Sequence, residues 1–190
     1  MKKLIVMFLL CVSMQTGAAT ATLEGITLED SVQVGNTRLA LNGAGVRSIV
    51  FFKMYAVGLY LAEKKSQTAT AVFADTRPKR IALHVLVGEG DLERFLSGFR
   101  KGMEKNHTAA ELTVLRERMT AFDKLFDNYK IVKRADVIAF DWVPVEGTRV
   151  MLNGTELGRI AGEDFYRALL MIWLGDKPVS EDLKTALLGS

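Results

Sequence analysis

The front of the chain shows the two-residue alternation of apolar and polar positions that is typical of β-strands. Ser31–Val34 and Thr37–Leu41 alternate on either side of Gly35-Asn36, a pair suited to positive φ angles, and together they predict a β-hairpin. Val46–Leu61 is rich in Val, Ile, Phe and Tyr and predicts a long, half-buried strand. Gly43-Ala44-Gly45 predicts a turn directly before that strand.

The middle of the chain changes to the 3.6-residue spacing of amphipathic helices. Asp91 can cap a helix whose apolar residues fall on one stripe, and Thr108-Ala109-Ala110-Glu111 matches a capping box that starts a second helix. The apolar positions of the two stripes are Leu92, Phe95, Leu96, Phe99 and Met103, then Leu112, Leu115, Met119, Phe122 and Phe126. We therefore predict two consecutive helices that each bury one face.

The last third returns to strands and then ends in helices. Asn153-Gly154 separates two alternating segments and is the clearest hairpin signal in the chain. Phe165–Leu174 is apolar nearly all round, which predicts a helix that is buried on most sides, and Ser180 can cap a last short helix. Because strands and helices are segregated along the chain, the prediction is an α+β fold, an antiparallel sheet with helices packed on one face.

The N-terminus has the pattern of a secretory signal peptide. Lys2 and Lys3 precede the apolar run Leu4–Met14, and Ala19-Thr20-Ala21 fits an A-x-A cleavage site. The run of about 11 residues is too short for a membrane span, which needs about 20. We therefore expect a signal peptide over residues 1–21, a single domain over residues 22–190, a periplasmic or secreted location, and no membrane span after cleavage.

Composition narrows the chemistry that the mature domain can carry. The single cysteine, Cys11, lies in the predicted signal peptide, so the rest of the chain has no disulfide, no cysteine-ligated metal and no thiol nucleophile. Since the chain has 25 basic and 22 acidic residues and two of the lysines precede the cleavage site, the charge is nearly balanced and no nucleic-acid partner is expected. His84 and His107 lack metal-ligand spacing, so neither a metal nor a cofactor is expected.

Two sequence blocks resemble the chalcone isomerase-like superfamily. The first is Gly43-Ala44-Gly45-Val46-Arg47 followed by Lys53–Leu61, and the second, looser block is Leu174–Ser180. The resemblance implies an open-faced β-sandwich. It also implies one of two functions, because the plant enzymes of this superfamily close a chalcone into a flavanone and its non-catalytic relatives bind fatty acids in the corresponding cleft.

The resemblance singles out Arg47 and Tyr55 as candidate ligand-binding residues. The catalytic relatives have an arginine and a threonine at these two motif positions, and the fatty-acid-binding relatives have a tyrosine at the second. An arginine fork and a phenol together offer charge-assisted donors to a carboxylate. On one straight strand the two would lie about 26 Å apart, so they can share a ligand only if the chain bends around Val50-Phe51-Phe52, where no Gly, Pro or Asn marks a turn.

The other positions of the enzymes' polar network are replaced. The enzymes carry a tyrosine and an asparagine on the helix after the third strand, where the nearest register gives Glu93 and Arg100. Ile172 stands where they have a polar residue, and Met171, Ile172 and Trp173 could form an apolar wall instead. Each lost oxyanion donor costs roughly 2.7–4 kcal/mol of transition-state stabilisation, so we expect a poor isomerase.

Three functions remain open from the sequence. The first is a non-catalytic protein that binds a fatty acid or an aromatic carboxylate through Arg47, Tyr55, Ile172 and Trp173. The second is an intramolecular lyase of the chalcone isomerase type in which Arg47 stabilises the developing anion. The third is a cell-envelope protein-interaction module in which Arg47 has a purely structural role.

Overall fold

The computed structural model describes residues 21–63 and 68–189. The predicted signal peptide lies outside these ranges apart from Ala21, which begins the first strand. The strands of the described chain are β1 (Ala21–Leu23), β2 (Ile26–Leu28), β3 (Ser31–Val34), β4 (Thr37–Ile49), β5 (Phe52–Leu61), β6 (Lys79–Val85), β7 (Glu89–Asp91), β8 (Ile131–Lys133), β9 (Val137–Val143), β10 (Gly147–Leu152) and β11 (Thr155–Ile160).

Seven of these strands form one antiparallel sheet in the order β11-β10-β9-β6-β5-β4-β3. The helices are α1 (Ala69–Ala74), α2 (Leu92–Asn106), α3 (Ala109–Lys124), α4 (Glu163–Leu174) and α5 (Glu181–Leu187). Buried side chains of all five helices form one cluster with one face of the sheet, which confirms the predicted α+β architecture. Within the described residues, no helix combines the length and the hydrophobicity that crossing a membrane requires.

The local signals in the sequence set most of the element boundaries. Gly35-Asn36 turns the chain between β3 and β4, and Asn153-Gly154 turns it between β10 and β11. The capping box of α3 is complete, because the Thr108 side chain accepts from the Glu111 backbone N–H and the Glu111 carboxylate accepts from the Thr108 N–H. These predictions are therefore confirmed, and so is the nearly all-round burial of α4.

The predicted continuous strand over Val46–Leu61 is wrong, because the chain reverses in its middle. β4 ends at Ile49, β5 begins at Phe52, and these two residues pair across a tight hairpin turn. Val50 takes a φ of 54° in that turn, a value that is strained for a β-branched residue. The two strands pair along nearly their whole lengths, so the ladder formed by β4 and β5 outweighs the local cost of a turn without Gly or Asn.

The predicted Gly43-Ala44-Gly45 turn is also wrong, since all three residues lie inside β4. A Cβ atom on Gly43 would overlap the backbone carbonyl groups of Ala186 and Leu187 at the end of α5. The side-chain amide of Asn42 donates to the Leu187 carbonyl oxygen at 2.9 Å in the same contact. The glycines therefore allow α5 to approach the β4 backbone closely. Close approach of another backbone segment is a common reason for glycine inside a strand.

Candidate ligand-binding site

A cavity of about 210 Å³ opens between the end of the β4–β5 hairpin and helices α2 and α4. Its buried side is apolar and aromatic, whereas exposed lysine and arginine side chains surround its mouth. The lining residues are Arg47, Ile49, Met54 and Tyr55 from the hairpin, Arg94, Phe95, Gly98, Phe99, Lys101, Gly102 and Lys105 from α2, and Ile172 and Val179 from the C-terminal region.

Arg47 and Tyr55 lie directly opposite each other on neighbouring strands. Arg47 is the cross-strand partner of Tyr55 in the β4–β5 register. The reversal after Ile49 is therefore the bend that the two residues need in order to share a ligand. Cβ atoms of directly opposed residues are about 4.5–5.5 Å apart and point to the same face of the sheet. Both side chains line the cavity. They are therefore close enough to bind one carboxylate between them.

A β-bulge next to this pair brings a third side chain of the hairpin to the cavity. The register changes from Arg47 opposite Tyr55 to Ser48 opposite Lys53, which leaves Met54 as the extra residue of β5. Consecutive strand residues normally face opposite sides of a sheet, but a bulge re-aims one of them. Met54 accordingly packs against the same apolar cluster as Tyr55 and joins it in the cavity wall.

The Tyr55 hydroxyl is held in place by Trp173. The indole N–H of Trp173 donates to the phenolic oxygen at 3.1 Å, and both side chains are buried. Burial raises the pKa of Tyr55 to about 12, although the Trp173 hydrogen bond and the nearby Arg47 charge act in the opposite direction. The phenol therefore stays protonated at neutral pH. Its oxygen accepts from Trp173, and within the described structure the O–H group donates no hydrogen bond.

Arg47 is half-buried and keeps most of its donors available. Its Nη1 donates to the Ser48 carbonyl oxygen at 2.7 Å. Within the described residues, no carboxylate lies at ion-pair distance from its guanidinium group, unlike Arg80 and Arg149, which both contact Asp141. A partly desolvated arginine without a counterion can bind an anion, because burial strengthens the attraction and the guanidinium fork matches a carboxylate.

Helix α2 contributes a cationic stripe that the sequence analysis did not recognise. Arg94, Gly98, Lys101 and Lys105 follow one another at spacings of four, three and four residues, which places them on one helix face. This spacing next to the apolar stripe was the signal that could have identified them. No acidic side chain is among the described residues that line the cavity, so its mouth carries a positive charge.

Glu93 and Arg100 do not reach this cavity. Arg100 forms ion pairs with Glu93 and with Asp123 of α3, so the two positions that the sequence register suggested face the neighbouring helix. Both residues form ion pairs on the surface of the α2–α3 pair. The residues that line the cavity instead are Arg94 and Lys101, which directly follow Glu93 and Arg100 in the sequence.

Only one of the three predicted wall residues on α4 lines the cavity. Ile172 does, whereas Met171 lies in a separate surface depression and Trp173 is fully buried behind Tyr55. Successive residues of a helix point about 100° apart, so three neighbours cannot share one wall. Trp173 therefore contacts the site through the Tyr55 hydroxyl and does not belong to the cavity surface itself.

The comparisons with known proteins agree with this architecture. A family model described as chalcone isomerase-like matches residues 20–189. The chain belongs to the chalcone isomerase-like family. The crystal structure of a fatty-acid-binding protein from Arabidopsis thaliana matches the fold with a TM-score of 0.69 at 15% sequence identity, covering 90% of this chain and 96% of that one. A comparison with curated protein sequences gave no match.

This chalcone isomerase-like protein has a second polar cluster on the sheet face that points away from α2. Asp141 is fully buried and accepts hydrogen bonds from the Arg80 and Arg149 guanidinium groups, one on each neighbouring strand. Because every partner in this ladder is paired, the cluster stabilises the sheet and offers no open site. The described residues also contain no group of three or more side chains that could hold a metal ion.

Proposed function

We propose that this protein binds a fatty acid or a similar amphipathic carboxylate in the cavity between the hairpin, α2 and α4. The carboxylate would lie between the Arg47 guanidinium and the Tyr55 hydroxyl. The single observation that carries the proposal is that these two donors, opposed across β4 and β5, open onto an apolar cavity while Arg47 has no carboxylate partner among the described residues.

The remaining wall suits an acyl chain. Ile49, Met54, Phe95, Phe99 and Ile172 give the tail apolar and aromatic surface on three sides. Ligand sites of this kind are mostly apolar, with a few polar groups that fix the orientation of the ligand. The cationic mouth formed by α2 adds a long-range attraction for an anion that approaches from solution.

The structural neighbour supports the same ligand class. The Arabidopsis thaliana structure is that of a fatty-acid-binding protein, and its fold covers nearly all of both chains. Tyr55 also stands at the motif position where the resemblance implies a tyrosine in fatty-acid-binding relatives and a threonine in enzymes. These two points favour binding over isomerisation.

A non-catalytic role is part of this proposal. Among the described residues that line the cavity, Arg47 and Tyr55 are the only polar side chains in its partly or fully buried wall, and the other charged residues are at the exposed mouth. A site with so few fixed donors has little to stabilise a chalcone phenolate and ketone at the same time. A periplasmic location of the mature chain is also proposed, and the N-terminal sequence pattern supports it.

Native mass spectrometry of the purified protein, with solvent extraction and lipid analysis of the same sample, tests the binding. We expect a near-stoichiometric fatty acid in the wild type and its loss in the Gly98→Leu variant. Gly98 lines the cavity, and a Cβ atom there meets nothing within 4 Å, so leucine fills the site without a clash at its Cβ atom.

Arg38→Ala is the control for Arg47→Ala, since Arg38 lies near the opposite end of the same strand, β4, and its guanidinium group bonds to Ser31 of β3. The same preparations are tested with a hydroxychalcone. If the chalcone is turned over faster than in buffer and the turnover is lost in Arg47→Ala, the non-catalytic proposal is wrong. If the wild type and the Gly98→Leu variant retain the same fatty acid, the ligand does not occupy this cavity.

A further inference from the structure

The tip of the β4–β5 hairpin is a run of four consecutive apolar residues that are exposed to solvent. The exposed fractions are 50% for Ile49, 79% for Val50, 92% for Phe51 and 73% for Phe52. Other large apolar residues with high exposure occur singly in the described chain, such as Val114 on α3 and Val145 in the turn after β9. Scattered exposed apolar residues are ordinary, but a continuous apolar protrusion marks an interaction surface.

The turn residues at this tip are unfavourable for a hairpin in water. Val50 adopts a φ of 54°, a conformation that Gly or Asn would take without strain. A polar Asn-Gly pair in place of Val50 and Phe51 would also avoid exposing two large apolar side chains in the turn. The tip therefore combines a strained backbone conformation with apolar side chains that are exposed to water. A second environment in which these side chains are buried would account for both features.

Positive charges surround the same end of the molecule. Arg94, Lys101 and Lys105 are exposed at the mouth of the cavity that Ile49 also lines. Lys53 follows the tip directly and pairs with Glu24 at 2.7 Å, so it adds little net attraction. An exposed apolar tip next to a row of cations on α2 is complementary to an anionic lipid bilayer, which offers an apolar interior beneath a negatively charged surface.

We propose that the β4–β5 tip inserts into an anionic phospholipid bilayer and thereby places the cavity mouth against the membrane surface. Phe51 and Phe52 would enter the boundary between headgroups and acyl chains, while Arg94, Lys101 and Lys105 contact the lipid phosphates. Ile49 belongs both to the tip and to the cavity wall, so it forms a continuous apolar path between them.

One consequence of this docking rests on the proposed function. If the cavity holds a fatty acid, the ligand can pass between the membrane and the site along Ile49 without crossing water. The docking itself depends only on the exposed tip and on the cationic mouth, so it can be tested without any ligand.

Flotation of the mature protein with vesicles of phosphatidylglycerol and phosphatidylcholine tests the docking directly. We expect the wild type to float with mixed vesicles and to be released from them by high salt, because screening weakens the attraction of the lysine and arginine side chains. Phe51→Ser combined with Phe52→Ser should weaken the partitioning roughly tenfold or more, because two large apolar side chains lose their membrane burial.

The matched control is Val114→Ser combined with Val145→Ser, which removes two exposed apolar residues away from the hairpin tip and should leave partitioning unchanged. A wild type that does not float, or a tip variant that floats as well as the wild type, would overturn the proposal. Sedimentation velocity without vesicles covers the alternative occupant. A dimer that the tip variant abolishes would assign the tip to a second copy of the chain and would also overturn it.

Binding of laurate in buffer without vesicles separates this inference from the proposed function. The tip variant should keep the laurate affinity of the wild type, and Arg47→Ala should lose laurate affinity while it still floats. Phe51→Trp gives a readout of depth once the emission of the wild type, which comes from the buried Trp142 and Trp173, is subtracted, since insertion shifts the emission of the new indole to the blue and exposes it to quenching by brominated lipids. An unshifted emission in the presence of vesicles would contradict insertion.

Discussion

Arg47 lies directly opposite Tyr55 across the β4–β5 ladder, although the two residues are eight positions apart along the chain. The reversal at Val50 and Phe51 creates this neighbourhood, and the bulge at Met54 directs an additional side chain into the same cavity. Trp173 supports the tyrosine from behind through its indole N–H. The arrangement of Arg47 and Tyr55 is therefore a product of the strand register and of one helix contact.

The Tyr55–Trp173 hydrogen bond predicts a measurable contribution to stability. Tyr55→Phe leaves the Trp173 N–H buried without its acceptor, which should lower the free energy of unfolding by about 1–3 kcal/mol. Tyr166→Phe is the control, because the buried Tyr166 hydroxyl has no hydrogen-bond partner in the described structure and its removal should be neutral or stabilising. Urea unfolding measures both variants. Equal destabilisation of the two would contradict the role of this hydrogen bond.

The raised pKa of Tyr55 predicts a loss of stability at alkaline pH. The unfolded phenol titrates near 10.0 and the folded one at about 12, so the unfolded state releases its proton first as the pH rises. The stabilisation is complete below pH 10 and falls between pH 10 and pH 12, by on the order of 3 kcal/mol for this residue.

Unfolding at a series of alkaline pH values should therefore give a shallower decline for Tyr55→Phe than for the wild type. Burial also raises the pKa of Tyr60 to about 12, so Tyr60 will maintain part of the decline in that variant. Parallel pH profiles for the wild type and Tyr55→Phe would show that Tyr55 is not the protected group.

Two glycines of α2 should respond in opposite directions to the same substitution. A Cβ atom on Gly98 meets nothing within 4 Å, so Gly98→Ala should stabilise the helix by up to about 1 kcal/mol. A Cβ atom on Gly102 would lie 2.8 Å from Ile172 Cγ2, so Gly102→Ala forces α2 and α4 apart and should destabilise the protein by about 1 kcal/mol or more. Thermal unfolding of both variants checks the pair, and stabilisation by Gly102→Ala would refute the close helix contact.

The cavity volume predicts a dependence on acyl chain length. At about 210 Å³ the cavity is smaller than the roughly 300–1,000 Å³ of sites that enclose drug-sized ligands. Each buried methylene group contributes about 0.8 kcal/mol, which is about fourfold in affinity. Calorimetric titration with octanoate, decanoate, laurate and palmitate should show rising affinity for the shorter acids and a plateau before palmitate. A constant gain up to palmitate would mean that the whole tail is enclosed.

Local signals were sufficient to predict most of the fold. Alternation, turn pairs such as Asn153-Gly154 and the capping box at Thr108 depend on neighbours within a few residues, and the structure confirms them. The family resemblance, which rested on residues 43–61 and 174–180, is likewise confirmed by the match over residues 20–189.

The site was harder to predict because it depends on contacts between distant segments. No local signal marks the turn at Val50 and Phe51, since pairing of whole strands imposes it against residue preference. The glycines of β4 are required by the close approach of α5, which lies more than 130 residues later in the chain. The spacing of Arg94 and Lys101 marks one face of α2 in the sequence, but only the structure shows that this face meets the hairpin.

Binding of laurate and of dodecanol to the wild type and to Arg47→Ala tests whether Arg47 recognises a carboxylate in the cavity. We expect the wild type to prefer laurate, Arg47→Ala to weaken laurate binding roughly tenfold to a hundredfold, and dodecanol to bind both proteins alike. Laurate affinity that is unchanged in Arg47→Ala, or a wild type that does not distinguish the acid from the alcohol, would contradict it.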